Sequence, residues 1–430
     1  AVDLELWPSR RAAGAADVTW TRQPVTAGWP NGSIGWHLPL YDSLSQQTLF
    51  YIANGNYLGI YSTNVFAYNP STNLFTNIGG TNSIQNGCPA STPTMPGDRH
   101  PVRQMAIDTK RQFLWIYGGM NVTCATNPHQ DMYYMRLNAN PASNTWTKVN
   151  PSRIPLANGT ASMTYAPDDD VLFVFGSDGG PQTRNHWVYC RTAENPTPGT
   201  LTAKQIAAGC TSPDDWSEVT IAGGGVKPLA VSLAGLFYDT VTKKVILYGG
   251  IDEGLRTNFN ETWAYDVPTR TWTRRALSTT PPPVYTGSSL GQPPVVYLPG
   301  GKLLYHQTTG TGAPADWRYD IVADTWTKLT SSGGGSTYDT FMAYDNSRNL
   351  LVSWNLQGEM WLGTLGSGSS SGNSCDVNRD GAVNVLDVQL AVNQVLGLTP
   401  CTTADVDGNG SCTDTDLQRI INSSLGGTCQ

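Results

Sequence analysis

Apolar residues in this chain fall in short runs with a period near two, cut every few positions by Gly, Asn, Asp, Pro or Thr. That is the pattern of half-buried strands joined by tight turns. The stretch from Gly235 to Arg274 shows the unit most clearly. One strand ends at Tyr238-Asp239, a Thr-Lys turn follows, and Val245-Ile-Leu-Tyr runs into Gly249-Gly250. After a loop come Glu261-Thr-Trp-Ala-Tyr-Asp266, a Pro-Thr-Arg turn and Thr271-Trp-Thr273. Four strands with hairpin-length connections predict one antiparallel sheet. Such a sheet cannot bury both faces alone, so copies must stack.

The unit recurs. Before it lie series beginning at Trp36, Gln104 and Ser162; after it come two more, beginning at Pro294 and Phe341. The last stops after three strands, at Glu359-Met-Trp-Leu362. A lone strand with the fourth-strand pattern, Asp17-Val-Thr-Trp-Thr-Arg22, precedes the first series and supplies the missing one. Joining the two ends closes a ring and removes its open sheet edges. The di-glycine after the second strand and the Trp of the fourth resemble the kelch repeat. The resemblance implies a mainly β fold, a six-bladed kelch-type β-propeller closed by an N-terminal strand.

The chain then changes character. Residues 363–374 are a Gly/Ser-rich linker, and two oxygen-rich loops follow, each leading into an amphipathic helix. In the first, Asp376, Asn378, Asp380 and Asp387 stand at loop positions 1, 3, 5 and 12, with Gly381 at the turn. Asp405, Asp407, Asn409 and Asp416 repeat the spacing, with Gly410 at the turn. Backbone carbonyls of Ala382 and Ser411, and side chains of Asn384 and Thr413, complete the sets. Alternating hard oxygen donors of this kind wrap calcium, so two ions are expected.

This segment, Cys375 to Gly427, resembles a dockerin, the duplicated loop–helix module that binds cohesin domains. It predicts a small α-helical domain with two EF-hand-like loops and a protein partner, either cohesin-like or a neighbouring copy. Positions 10 and 11 depart from the Ser-Thr type pair of familiar dockerins, being Val385-Leu386 and Asp414-Thr415. The antiparallel pseudo-symmetry suggests the bridges Cys375–Cys429 and Cys401–Cys412, other pairings staying open. The expected domains are a tail at 1–16, the propeller at 17–362, the linker at 363–374 and the calcium module at 375–430.

Composition narrows the function classes. A formal charge of −7 without a basic run argues against nucleic acid, and no stretch is long and apolar enough to span a membrane. Eight cysteines in sequence-local pairs suit an oxidising, extracellular setting. Cys88 and Cys124 lie in loops that emerge on one propeller face, and Cys190 and Cys210 bracket an insertion in the third blade. The Ala-Val-Asp start suggests that a signal peptide has been removed.

Aligning the blades puts His37, His100, Arg103 and Asp339 toward one channel mouth, with Asp178, Arg184, His186, Asp252, Glu253 and Arg256 in loops nearby. These could do acid–base chemistry or hold an anionic sugar. They are scattered, however, and polar groups lining a wet channel explain them more simply. The galactose-oxidase type of copper site, repeated Asp boxes and nucleophile-elbow, P-loop and HExxH motifs find no match. The leading expectation is a secreted, non-catalytic binding or structural protein able to self-assemble into a filament or surface layer. A carbohydrate-active enzyme anchored by the dockerin-like module and a glycan-binding adhesin are the alternatives.

Overall fold

The computed structural model describes residues 16–24, 38–52, 60–61, 64–79, 84–85, 91–97, 99, 101–119, 129–138, 144–155, 159–176, 185–222, 227–229, 231–252, 257–276, 279, 294–308, 314–337, 340–355, 358–366, 374–377, 383–399, 401, 403–407 and 409–429.

Six antiparallel sheets follow one another along the chain. In blade one the strands are Leu40–Asp42, Gln47–Ile52, Asn64–Asn69 and Leu74–Gly79. Blade two has Met105–Asp108, Phe113–Tyr117, Met132–Arg136 and Trp146–Val149. Blade three has Ser162–Ala166, Val171–Gly176, Asn185–Tyr189 and Trp216–Glu218. The fourth contains Gly235–Asp239, Lys244–Tyr248, Thr262–Asp266 and Thr271–Arg274. In the fifth are Val295–Leu298, Lys302–Gln307, Ala315–Asp320 and Thr325–Lys328.

Blade six is made from both ends. Thr340–Asp345, Leu350–Asn355 and Met360–Leu365 pair in order, and Val18–Arg22 then adds antiparallel to the last of them. Ser331–Ser332 adds a fifth, parallel edge strand that the sequence pattern does not announce. The two-stranded ribbons Ile60–Tyr61 with Ile84–Gln85, and Ile251–Asp252 with Thr257–Asn258, are equally unannounced. The third strand of blade six also runs past position 362, where the linker was expected to begin. Its register holds Gly363 opposite Trp20, and a Cβ there would lie 2.9 Å from the indole.

The Asp that closes first strands, after Tyr in blades one, four and six and after Ile107 in blade two, has a local cause. Asp42, Asp108, Asp239 and Asp345 each accept two backbone N–H groups from the turn that follows. The last turn residue is left-handed in each case, at Gln46, Gln112, Lys243 and Asn349. The side chain thus satisfies turn donors that the ladder cannot reach.

Between blades the rule is aromatic. The fourth strand of every blade carries one large ring that contacts the fifth residue of the preceding blade's second strand. Phe75 meets Trp354, Trp146 meets Tyr51, and Trp216 meets Tyr117. Trp272 meets Phe175, Trp326 meets Tyr248, and Trp20 meets His306. Centroid separations run from 4.8 to 6.3 Å. Each of these fourth-strand rings sits in an apolar cluster shared by its two blades, so all six seams are filled.

The seam at Trp20 carries a network of polar groups at its centre. The indole donates to Asp316 Oδ2 at 2.9 Å, and Ser331 donates to the same oxygen. Asp316 Oδ1 lies 2.7 Å from His306 Nδ1, whose Nε2 faces the Ser336 carbonyl at 2.9 Å. Burial alone would raise the Asp316 carboxyl; the bonds to His306, Ser331 and Trp20 outweigh it and hold the group below the usual range. Asn355 donates to Ser336 Oγ and to Glu359, which pairs with Arg22 at 2.8 Å. The incoming strand is therefore tied at two points.

Two outcomes follow. Trp20→Ala should cost about 3–5 kcal/mol in denaturant unfolding, whereas Val322→Ser, at an exposed turn, should stay within about 0.5 kcal/mol. Because the Asp316 carboxyl is depressed in the folded state, its contribution is full above the unfolded value of about 3.9 and disappears as pH falls through the folded value. Stability curves from neutral to acid pH should be flatter for Asp316→Asn than for the parent chain.

Candidate metal centre

The C-terminal segment builds around two helices, preceded in the chain by α1 (Ala203–Ala208) in blade three. Helix α2 spans Val385–Val395 and α3 spans Asp414–Ser424. They pack together over a small core of Cys375, Val377, Ala391, Ala404 and Ile420. Such a core is too small to be self-sufficient, so covalent or ionic staples are expected. Two disulfides are present. Cys375–Cys429 joins the module's ends, and Cys401–Cys412, only 11 positions apart, closes a ring over the first eight positions of the second loop. In the propeller, Cys190–Cys210 staples the insertion that carries α1. Cys88 and Cys124 lie outside the described residues.

The second loop is folded around its own carboxylates. Asp405 Oδ1 accepts the Asn409 N–H at 3.0 Å and Oδ2 accepts the Gly410 N–H at 2.8 Å. Asp407 also accepts from Asn409, and Asn409 accepts from the Ser411 N–H. Asp416, fully buried at the start of α3, receives the N–H groups of Val406, Asp407 and Thr413 and the Thr413 hydroxyl. Burial would raise its carboxyl, yet those four bonds hold it below the usual range. Ligand oxygens of Asp405, Asp407 and Asp416 lie within 4.8 Å of one another.

Three carboxylates that close repel unless a cation sits among them. The donor set is all oxygen, with the Ser411 carbonyl and Thr413 on the same loop, and it fits calcium rather than a softer metal. In the first loop the described ligands are Asp376, Asn384 and Asp387. Asp387 is buried and accepts the Asn384 N–H at 2.8 Å, mirroring Asp416 with Thr413. Asn378, Asp380 and Ala382 lie outside the described residues.

The channel-mouth group gathers less. His37, His100 and Asp339 lie outside the described residues, as do Asp178, Arg184, Glu253 and Arg256. Arg103 is 2% exposed, its carbonyl accepts the Met163 N–H, and burial lowers its guanidinium to about 10. The run His186-Trp-Val-Tyr189 reads as the third strand of blade three, and it forms that strand; but His186, also grouped with loops near the mouth, does not open there, being 2% exposed and accepting the Trp272 indole N–H at 2.7 Å. That is the seam between blades three and four, where the imidazole serves as an acceptor in a packed wall. Asp252 lies in the short ribbon that pairs Ile251–Asp252 with Thr257–Asn258.

Fold and loops together define a six-bladed β-propeller followed by a calcium-type duplicated loop–helix module. Residues 374–423 match the dockerin type I domain, and the chain carries that domain at its C-terminal end. No curated protein matches the chain. A dockerin domain implies protein–protein assembly, and such domains typically bind calcium. Among the described residues no helix is long and apolar enough to cross a membrane.

Opening the small loop should loosen the second site. Cys401→Ser with Cys412→Ser removes a closure worth about 2–3 kcal/mol. Calcium affinity measured by calorimetry should fall at one site while the other keeps its value; equal affinities before and after would show that the loop is held without the bridge.

Proposed function

We propose that this is a secreted, non-catalytic binding or structural protein, in which the propeller is the display surface and the dockerin domain the joint. The dockerin match at 374–423 is the observation that carries the reading. The oxygen-lined loops add to it, and two calcium ions are the complement that their repeated spacing supports. Each ion stabilises only the folded module, so assembly is coupled to calcium through folding. We assign the propeller to the kelch type from the left-handed Gly118-Gly119 and Gly249-Gly250 pairs that end second strands. At Gly250 a Cβ would lie 2.9 Å from Val231, which explains the residue type.

The partner is a cohesin-like protein or a neighbouring copy of this chain. Docking onto a neighbour would be a heterologous contact, which builds filaments or layers unless a ring closes. The extracellular setting is supported by the disulfides, which an oxidising compartment preserves. Arg103 and His186, buried within the blades, are poorly placed to meet a soluble substrate.

The first measurement is molar mass by light scattering, in calcium and in excess chelator. Self-assembly should give masses well above the 46.3 kDa chain in calcium alone, and Asp376→Ala with Asp405→Ala should abolish both the assembly and bound calcium. A monomer under both conditions would overturn self-assembly and leave a different protein as the partner. Glycan hydrolysis by the purified chain would overturn the non-catalytic reading.

A further inference from the structure

Between blades three and four lies a cavity of about 410 Å³, lined by none of the calcium-loop residues. Four separate stretches make it: the first turn of blade three, the first turn of blade four, the Pro268 turn before the fourth strand of that blade, and α1 from the insertion. The insertion is fixed rather than loosely draped. Cys190–Cys210 closes it, and the α1 start is capped by Thr202 with Gln205. Gln205 is buried and donates to the carbonyls of Asp170 and Arg191, pinning the helix to the blade.

Inside, the charges are not equivalent. Asp168 is satisfied: the Tyr238 hydroxyl donates to it at 2.6 Å and Lys243 lies 3.2 Å away. Asp169, its neighbour, is 3% exposed, lines the cavity and has no hydrogen-bond partner among the described residues. Its oxygens open onto the cavity and not into a sealed core, so what they lack is a fixed donor, and a carboxylate this far from bulk water is costly to keep charged. Burial pushes this carboxyl up to about 6, with Asp168 and Asp266 adding to the rise and Lys204 opposing it. The remaining lining is Ala203, Ala207, Pro268 and the Tyr238 ring, apolar surface suited to a hydrocarbon stem.

We propose that this cavity binds an organic ammonium ion carried on an aliphatic stem, with Asp169 as its counter-ion. A divalent metal is the poorer fit, because Asp169 is the one uncommitted carboxylate there and Lys204 and Lys243 stand beside it. An anion is poorer still. Lys243 is already paired, and the deepest charged group is negative. The ammonium supplies the missing donors, and the stem covers the alanine and proline walls.

The test is calorimetric titration of the full chain with n-butylammonium chloride, with butan-1-ol as the uncharged counterpart. The ammonium should bind at least about tenfold more tightly than the alcohol. Its affinity should fall about tenfold from near pH 8 to near pH 5, as a carboxyl titrating at about 6 takes up its proton. Asp169→Asn should remove the binding, and Lys204→Ala, which takes away the opposing charge, should tighten it. Nα-acetyl-lysine methylamide distinguishes the two sources of such a group. Affinity equal to the simple amine assigns a lysine side chain of a protein, and a marked loss assigns a free amine. Equal binding by the alcohol, or by Asp169→Asn, would overturn the proposal. Should Asp169→Asn fail to fold, the pH profile and Lys204→Ala decide it, and a flat profile with unchanged Lys204→Ala affinity overturns it.

Discussion

The ring depends on one repeated contact, an aromatic side chain of a fourth strand lying against the second strand of the blade before it. Each such pair adds about 0.5–1.5 kcal/mol beyond the area it buries, and none can form within a single blade. A blade alone would leave both faces wet. Stability is therefore a property of the closed circle, and the contact that closes it is the one between Trp20 and the His306 and Asp316 of blade five. There the strand is supplied from the far end of the chain, and no short turn sets its register.

That difference explains why this seam carries a network of several polar groups. The other five join strands already held by hairpins, and the one between blades three and four adds a Trp272–His186 bond to its apolar packing. The sixth must place a free segment, and apolar packing tolerates a strand that slips by two residues. A directional bond does not. The indole N–H meets Asp316 in one register only, and Arg22 with Glu359 fixes the same register from the other end. Polar groups cost more to bury than methyl groups, and their return here is specificity. The Gly at 363 belongs to the same device, since only a residue without a side chain leaves room for the indole.

Much of this was legible in the sequence because it is local. Tyr-Asp ends, turn residues and the spacing of Trp20, Trp146, Trp272 and Trp326 are repeated within blades, and the lone strand at 18–22 declares itself by what it lacks. The calcium loops are legible for the same reason, their ligands lying within twelve consecutive positions. What pattern could not reveal is what distant segments share. His186 looks like a free imidazole until the Trp272 indole is placed on it. Asp168, Asp169 and Asp170 form one acidic run in the sequence, yet their fates diverge: Asp168 pairs with Lys243, Asp170 with Arg111, and Asp169 faces a cavity. Only the approach of α1 and of blade four separates them.

The two halves of the chain solve the same problem by opposite means. The propeller has enough apolar surface to hold its shape through packing, so its loops can carry costly groups such as Asp169. The C-terminal module has a core of a few side chains, and its loops concentrate negative charge that opposes folding until a cation arrives. Its disulfides shorten the conformational search without supplying the missing charge. A rigid body whose shape does not depend on calcium is thus covalently joined to a domain whose shape does. Under the proposed function, a change in calcium alters what the protein is attached to and leaves what it displays unchanged.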